Sequence, residues 1–145
     1  MLCYLDTSLL VKLYIKEAES PVALRLLRSN PLEPMISWLS EVEMAAALEA
    51  RPLRSGSRIS DAQLRIAYDK FRSEKTSGIY RLVPLDSVTF DLARSLAERY
   101  GRQLGVRALD VLHVAAALRN GAVAFATFDA RQAKLAEAAG LDLLP

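Results

Sequence analysis

A chain of 145 residues, 52% hydrophobic and 25% charged, is long enough for one domain with a real core and too apolar to be disordered. A formal net charge of +2 permits a nucleic-acid partner without arguing for one. The single cysteine, Cys3, rules out an intrachain disulfide framework and a cysteine zinc site, and no apolar run approaches the roughly 20 residues of a membrane helix.

Leu2–Leu5 predicts a short buried strand, with Cys3 as a small hydrophobe inside it. Asp6 breaks the apolar run early and no basic segment precedes it, so the opening is not read as a signal peptide and the cytoplasm is the expected location. Asp6–Ser8 offers N-cap chemistry to a helix starting near Leu9. A helix is expected over Ser20–Ser29, with Pro21 at its tolerated first position and Asn-Pro-Leu-Glu-Pro as its stop. Met35–Trp38 is a candidate strand, and Ser40 opens an Ala-rich helix to about Ala50. Arg-Pro-Leu-Arg-Ser-Gly-Ser-Arg is the clearest loop, followed by a polar helix from Ile59 to about Lys75 and a strand around Tyr80–Val83. Val88, Leu92, Leu96 and Tyr100 recur every fourth residue, which predicts an amphipathic helix ending at Gly101. A richly apolar helix over Ala108–Arg119, a strand over Ala122–Ala126, a helix over Asp129–Ala139 and a strand over Leu141–Leu144 complete the chain. Strands alternating with helices imply a single-domain α/β fold, a parallel β-sheet flanked by helices on both faces.

Two strands run into acids: Leu-Cys-Tyr-Leu into Asp6, and the Ala122–Ala126 strand into Asp129. In a parallel sheet the strand C-terminal ends share one edge, and ligands bind there. Glu43 and Asp110 lie near the beginnings of otherwise core-like helices and can point to the same edge. Each acid also has a purely structural reading. Asp6 and Asp129 fit N-caps, Ser40 and Glu43 fit a capping box, and Asp110 fits a first-turn acid. Convergence of all four changes the weighing. Two carboxylates about 5 Å apart repel by roughly 3 kcal/mol at an effective dielectric near 20. Either their pKa values rise or a divalent cation joins them, and an all-oxygen set suits Mg²⁺ or Mn²⁺ better than Zn²⁺. Such an ion activates water and stabilises a phosphoryl oxygen, so phosphodiester hydrolysis is a natural chemistry.

The segments Tyr-Leu-Asp-Thr-Ser-Leu-Leu-Val-Lys-Leu-Tyr, Ile-Ser-Trp-Leu-Ser-Glu-Val-Glu-Met, Arg-Ala-Leu-Asp-Val-Leu-His-Val-Ala and Ala-Phe-Ala-Thr-Phe-Asp-Ala-Arg resemble those of PIN-domain ribonucleases, most closely VapC-type toxins of toxin–antitoxin pairs. The resemblance covers residues 1–145 nearly end to end. It implies that Asp6, Glu43, Asp110 and Asp129 form an acidic metal site for Mg²⁺- or Mn²⁺-dependent RNA cleavage. It further implies a homodimer and a small VapB-like antitoxin that occupies the site. Thr7, Ser8 and Thr127 match small polar positions beside the acids and are expected to orient carboxylates or water.

His113, the only histidine, sits on a core-like helix and is read as a packed or hydrogen-bonded residue rather than a general base. Trp38 is expected in the core where strand meets helix. Arg51, Arg54, Arg58 and Arg65 read singly as a solvated face and together as a track for an RNA backbone. Two alternatives remain. One is an inactive PIN-like module that binds RNA or a partner. The other is a haloacid-dehalogenase or receiver-like phosphoryl-transfer domain. The dehalogenase pattern wants a second Asp where Ser8 stands, and the receiver pattern wants a late-strand Lys that Leu-Asp-Leu-Leu-Pro lacks.

Overall fold

The computed structural model describes residues 1–29 and 31–145; Asn30, the first residue of the expected helix stop, lies outside them. In β1 (Leu2–Leu5) every residue after Leu2 is buried. A strand with no solvent face needs neighbours on both edges and cover on both faces. It pairs with β2 (Glu33–Ser37) on one side, Tyr4 level with Met35, and with β4 (Ala124–Ala126) on the other, Tyr4 level with Phe125. β3 (Arg81–Val83) and β5 (Asp142–Leu144) complete a five-stranded parallel sheet in the order β3-β2-β1-β4-β5.

Residue parity sorts the core into two layers. Cys3, Leu5, Ile36, Ala124 and Ala126 pack under α1 (Thr7–Leu10), α2 (Ser20–Ser29), α3 (Trp38–Ala50) and α4 (Asp61–Thr76). Tyr4, Met35, Val83 and Phe125 pack under α5 (Ser87–Leu104), α6 (Ala108–Arg119) and α7 (Ala130–Ala138). The expected α/β architecture is the observed one. The chain moves outward from β1 to β2 and β3, then returns to place β4 beside β1. The C-terminal ends of β1 and β4 therefore flank the switch point of the sheet, where its crevice opens. Among the described residues no helix is long and apolar enough to cross a membrane.

Three local expectations are corrected. α3 starts at Trp38 rather than Ser40, because Ser37 is its N-cap and the Ser40 hydroxyl accepts the Ser37 N–H at 3.2 Å. The capping box is thus Ser37 with Ser40, and Glu43 takes no part in it. Trp38 consequently falls on the first turn of the helix and is 53% exposed, with the Lys75 ammonium 5.5 Å from its ring centroid, not in the core. α5 runs through Gly101 and stops at Gly105, whose φ of 62° is the left-handed conformation that ends a helix without a Cβ penalty.

Candidate metal centre

Asp6 follows β1 directly and caps α1, while its own N–H donates to the Ala126 carbonyl at 2.9 Å. Its Oδ2 accepts from the Ser8 N–H at 3.2 Å, the Ser8 hydroxyl at 2.6 Å and the Thr127 hydroxyl at 2.9 Å. The Ser8 hydroxyl oxygen also accepts the Phe128 N–H at 3.0 Å, so these small side chains stitch the end of β1 to the end of β4. Asp129 caps α7: its Oδ1 accepts the Arg131 and Gln132 N–H groups at 2.8 and 3.1 Å. Its backbone N–H donates to the Thr127 hydroxyl at 2.9 Å. Asp110, in the first turn of α6, accepts the Arg107 N–H through Oδ2 at 3.1 Å. Glu43 lies in the second turn of α3, where its Oε2 takes the Thr7 hydroxyl at 2.8 Å and His113 Nε2 at 2.5 Å.

All four acids line one cavity of about 820 Å³. Asp6, Glu43 and His113 form its tightest group, with one ligating atom from each within 4.8 Å of the others. Asp110 and Asp129 share the cavity but stand outside that group. Three of the structural readings are therefore literal: Asp6 and Asp129 cap helices, and Asp110 is a first-turn acid that bonds back to the N-cap Arg107. Yet each cap uses a single oxygen. Among the described residues, Asp6 Oδ1, Glu43 Oε1, Asp110 Oδ1 and Asp129 Oδ2 have no hydrogen-bond partner, and none of these carboxylates is ion-paired to Lys or Arg. One oxygen fixed by the protein and one left free, repeated on convergent acids, is the donor chemistry that a hard divalent cation takes. The residues present fit such an ion.

Burial pushes the Glu43 carboxyl up, but the His113 hydrogen bond and charge and the Thr7 hydroxyl outweigh it, and the group ends below its ordinary 4.5. The carboxylate is thus kept ionised where burial alone disfavours charge.

The basic residues divide. Arg51 is buried, donating to Glu17 at 2.6 Å and to the Ala47 carbonyl at 3.1 Å. Arg54 is exposed, 3.6 Å from the same Glu17. Both line the acidic cavity and a neighbouring one of about 610 Å³, which Arg58 also lines. Arg65 is exposed on α4 and lines neither. Sequence reasoning missed Lys12 and Arg107 on the cavity wall, and Gln132, whose buried Oε1 has no hydrogen-bond partner among the described residues. For Gln132 the signal was its place three residues into the helix that Asp129 caps. For His113 it was the three-residue spacing from Asp110, which puts both on one helix face.

The PIN domain family model matches residues 3–138 of this chain. Among proteins of curated function, none matches. Solved structures share the fold. FitAcB from Neisseria gonorrhoeae is 14% identical with a TM-score of 0.73, over 99% of this chain and 96% of that one. VapC20 from Mycobacterium tuberculosis, described as a sarcin-ricin loop cleaving toxin, is 19% identical with a TM-score of 0.73, over 99% of both chains. VapBC2 from Rickettsia felis, bound to a DNA fragment from its promoter, is 18% identical with a TM-score of 0.66, over 99% and 97%.

Proposed function

Since the chain belongs to the PIN-domain family, we propose that it is a metal-dependent endoribonuclease, the toxin of a VapBC-type toxin–antitoxin pair. The observation that carries this reading is the set of four carboxylates on one cavity, each with one oxygen anchored and one free. Asp6, Glu43, Asp110 and Asp129 would hold Mg²⁺ or Mn²⁺, to which their free oxygens are available. Thr7, Ser8 and Thr127 keep the anchored oxygens of Glu43 and Asp6 in place. When bound, the cation polarises a phosphoryl oxygen and makes water acidic enough to attack at neutral pH.

The chain's own cations serve the substrate. Arg107 on the cavity wall faces a polyanion, and Arg54, Arg58 and Arg65 extend the positive surface away from the acids, while Lys12 on the same wall is held by ion pairs to Glu17 and Glu19. Arg51 acts from behind, as the anchor of Glu17. A VapB-like antitoxin inhibits by inserting a basic side chain among the free carboxylate oxygens. Several similar structures are toxin–antitoxin complexes, which supports a partner of this kind. Trp38 and Val42, one turn apart on α3 and 53% and 68% exposed, give an apolar stripe suited to a second copy of the chain in a homodimer.

Purified protein should cleave RNA only with Mg²⁺ or Mn²⁺, lose activity in EDTA, and leave 5′-phosphate and 3′-hydroxyl ends. Asp6→Asn should abolish cleavage in a folded protein. A 2′,3′-cyclic phosphate product means that the RNA's own 2′-hydroxyl attacked, and overturns the reading; so does full activity in EDTA.

A further inference from the structure

The acidic cavity is braced from behind by a row of buried hydrogen bonds. His113 on α6 is 2% exposed, and both ring nitrogens are engaged: Nε2 lies 2.5 Å from Glu43 Oε2, and Nδ1 lies 2.7 Å from Tyr4 Oη. Tyr4 Oη is in turn 2.7 Å from the Ser37 hydroxyl. Tyr4 and Ser37 are 0% exposed. The Tyr4 ring stacks on Phe125 at 5.4 Å and meets the imidazole edge-on at 5.6 Å. Ser37, Tyr4, His113, Glu43 and Thr7 thus form one row that joins β2, β1, α6, α3 and α1. An imidazole held at both nitrogens and against an aromatic face does not rotate freely, and neither does the carboxylate oxygen that it holds.

We propose that His113, braced by Tyr4, is a positioning residue for the cation site: it fixes Glu43 through Oε2 and leaves Oε1 free to serve as a ligand. The proposal rests on the reading of this cavity as a cation site. Its chemistry is that of an outer partner to a ligating carboxylate. Such a partner sets the ligand's orientation and compensates its charge, and its loss typically costs about 10–100-fold in metal affinity. Tyr4 does the same one step further back, because its hydroxyl is the only partner of His113 Nδ1 among the described residues. A histidine retained for packing alone has no need of a carboxylate on the cavity wall.

The test is Mn²⁺ titration of the full-length protein followed by electron paramagnetic resonance, on wild type, Asp6→Asn, Tyr4→Phe, His113→Leu and His113→Gln. Glutamine places its amide nitrogen near the position of Nε2 and keeps the donor. His113→Leu should bind Mn²⁺ about 10–100-fold more weakly, and Tyr4→Phe and His113→Gln, which both lose the brace at Nδ1 but keep a donor to Glu43, only several-fold more weakly. Tyr4→Phe keeps the stacked ring, so it carries the test if His113→Leu does not fold. The bound Mn²⁺ should show no hyperfine coupling to a directly ligated imidazole nitrogen. If Asp6→Asn loses Mn²⁺ while Tyr4→Phe and His113→Leu bind like wild type, the positioning role is wrong and the cation site stands. Direct nitrogen coupling likewise overturns the role, making His113 a ligand. If Asp6→Asn binds Mn²⁺ like wild type, the cation site is misplaced and the proposal falls with it.

Discussion

Glu43→Gln separates the charge of this side chain from its shape. In the metal-free protein, Asp6 and Glu43 bring ligating atoms within 4.8 Å. Two like charges at about 5 Å repel by roughly 3 kcal/mol at an effective dielectric near 20. Glutamine removes that repulsion and weakens the charge-assisted bond to His113, a bond of a kind worth about 1.5–3 kcal/mol. The Glu43 carboxyl nevertheless stays below its ordinary 4.5, so the favourable contacts prevail and in EDTA the variant should melt slightly below wild type. No capping loss intervenes, because the box at the start of α3 is made by Ser37 and Ser40.

With Mn²⁺ the two proteins part. At about 100 times its dissociation constant a ligand stabilises the folded state by about 2.7 kcal/mol. For a domain of this length that is roughly 8 °C in Tm. Wild type should gain that increment and Glu43→Gln only a small part of it, since a neutral amide is a poor ligand for a hard cation. RNA cleavage should fall by orders of magnitude. The control is Glu41→Gln: Glu41 is ion-paired to Lys75 on α4 and does not line the cavity. It should change neither the Mn²⁺-induced shift nor cleavage. Thermal melts with and without Mn²⁺, together with cleavage of end-labelled RNA, read both outcomes. An Mn²⁺ shift in Glu43→Gln equal to that of wild type removes Glu43 from the site and refutes the argument.

Gln132→Leu should raise the melting temperature, because a buried carbonyl oxygen with no partner among the described residues costs about 1–3 kcal/mol; a lower melting temperature would show that the oxygen is satisfied. The Glu43 carboxyl is held below 4.5 in the folded state, so its contribution to stability is complete above that value and drains as pH falls through the lower folded value. Urea unfolding across about pH 5 to pH 3 should therefore show wild type losing more stability than Glu43→Gln, and parallel profiles would contradict this. Arg51→Ala should destabilise the fold by removing a buried guanidinium that bonds the part-buried Glu17 and the Ala47 carbonyl, although Glu17 keeps Lys12 and Arg54. Arg58→Ala should leave stability unchanged but weaken RNA binding and reduce the slope of log affinity against log salt by about 1; the same response from both variants would remove the distinction between anchor and track.

The sheet and the placement of the acids were legible because both follow from local pattern. A buried run that ends in Asp6, and a second that ends just before Asp129, mark the same edge of any parallel sheet, whatever the register. The start of α3 was not legible. Ser40-x-x-Glu43 fits the capping-box pattern, whereas the box the structure forms is Ser37 with Ser40, and Trp38 and Leu39 suit a strand end as well as a first helical turn. Hydrogen bonding to Ser37 decided it, and the exposure of Trp38 followed. Arg51 looked like its loop neighbours, but its partner Glu17 is 34 residues away. The hardest case was His113, which local pattern assigns correctly to the core while hiding what it does there. Its partner Tyr4 lies 109 residues upstream. Their meeting depends on parity within β1: Tyr4 shares its face of the sheet with Met35 and Phe125, under α6, whereas Cys3 and Leu5 turn to α1–α4. A slip of one residue in β1 would send the Tyr4 hydroxyl to the opposite layer and leave His113 Nδ1 buried without a partner. The register that closes the core is therefore also the register that braces Glu43, and no local pattern around His113 carries that information.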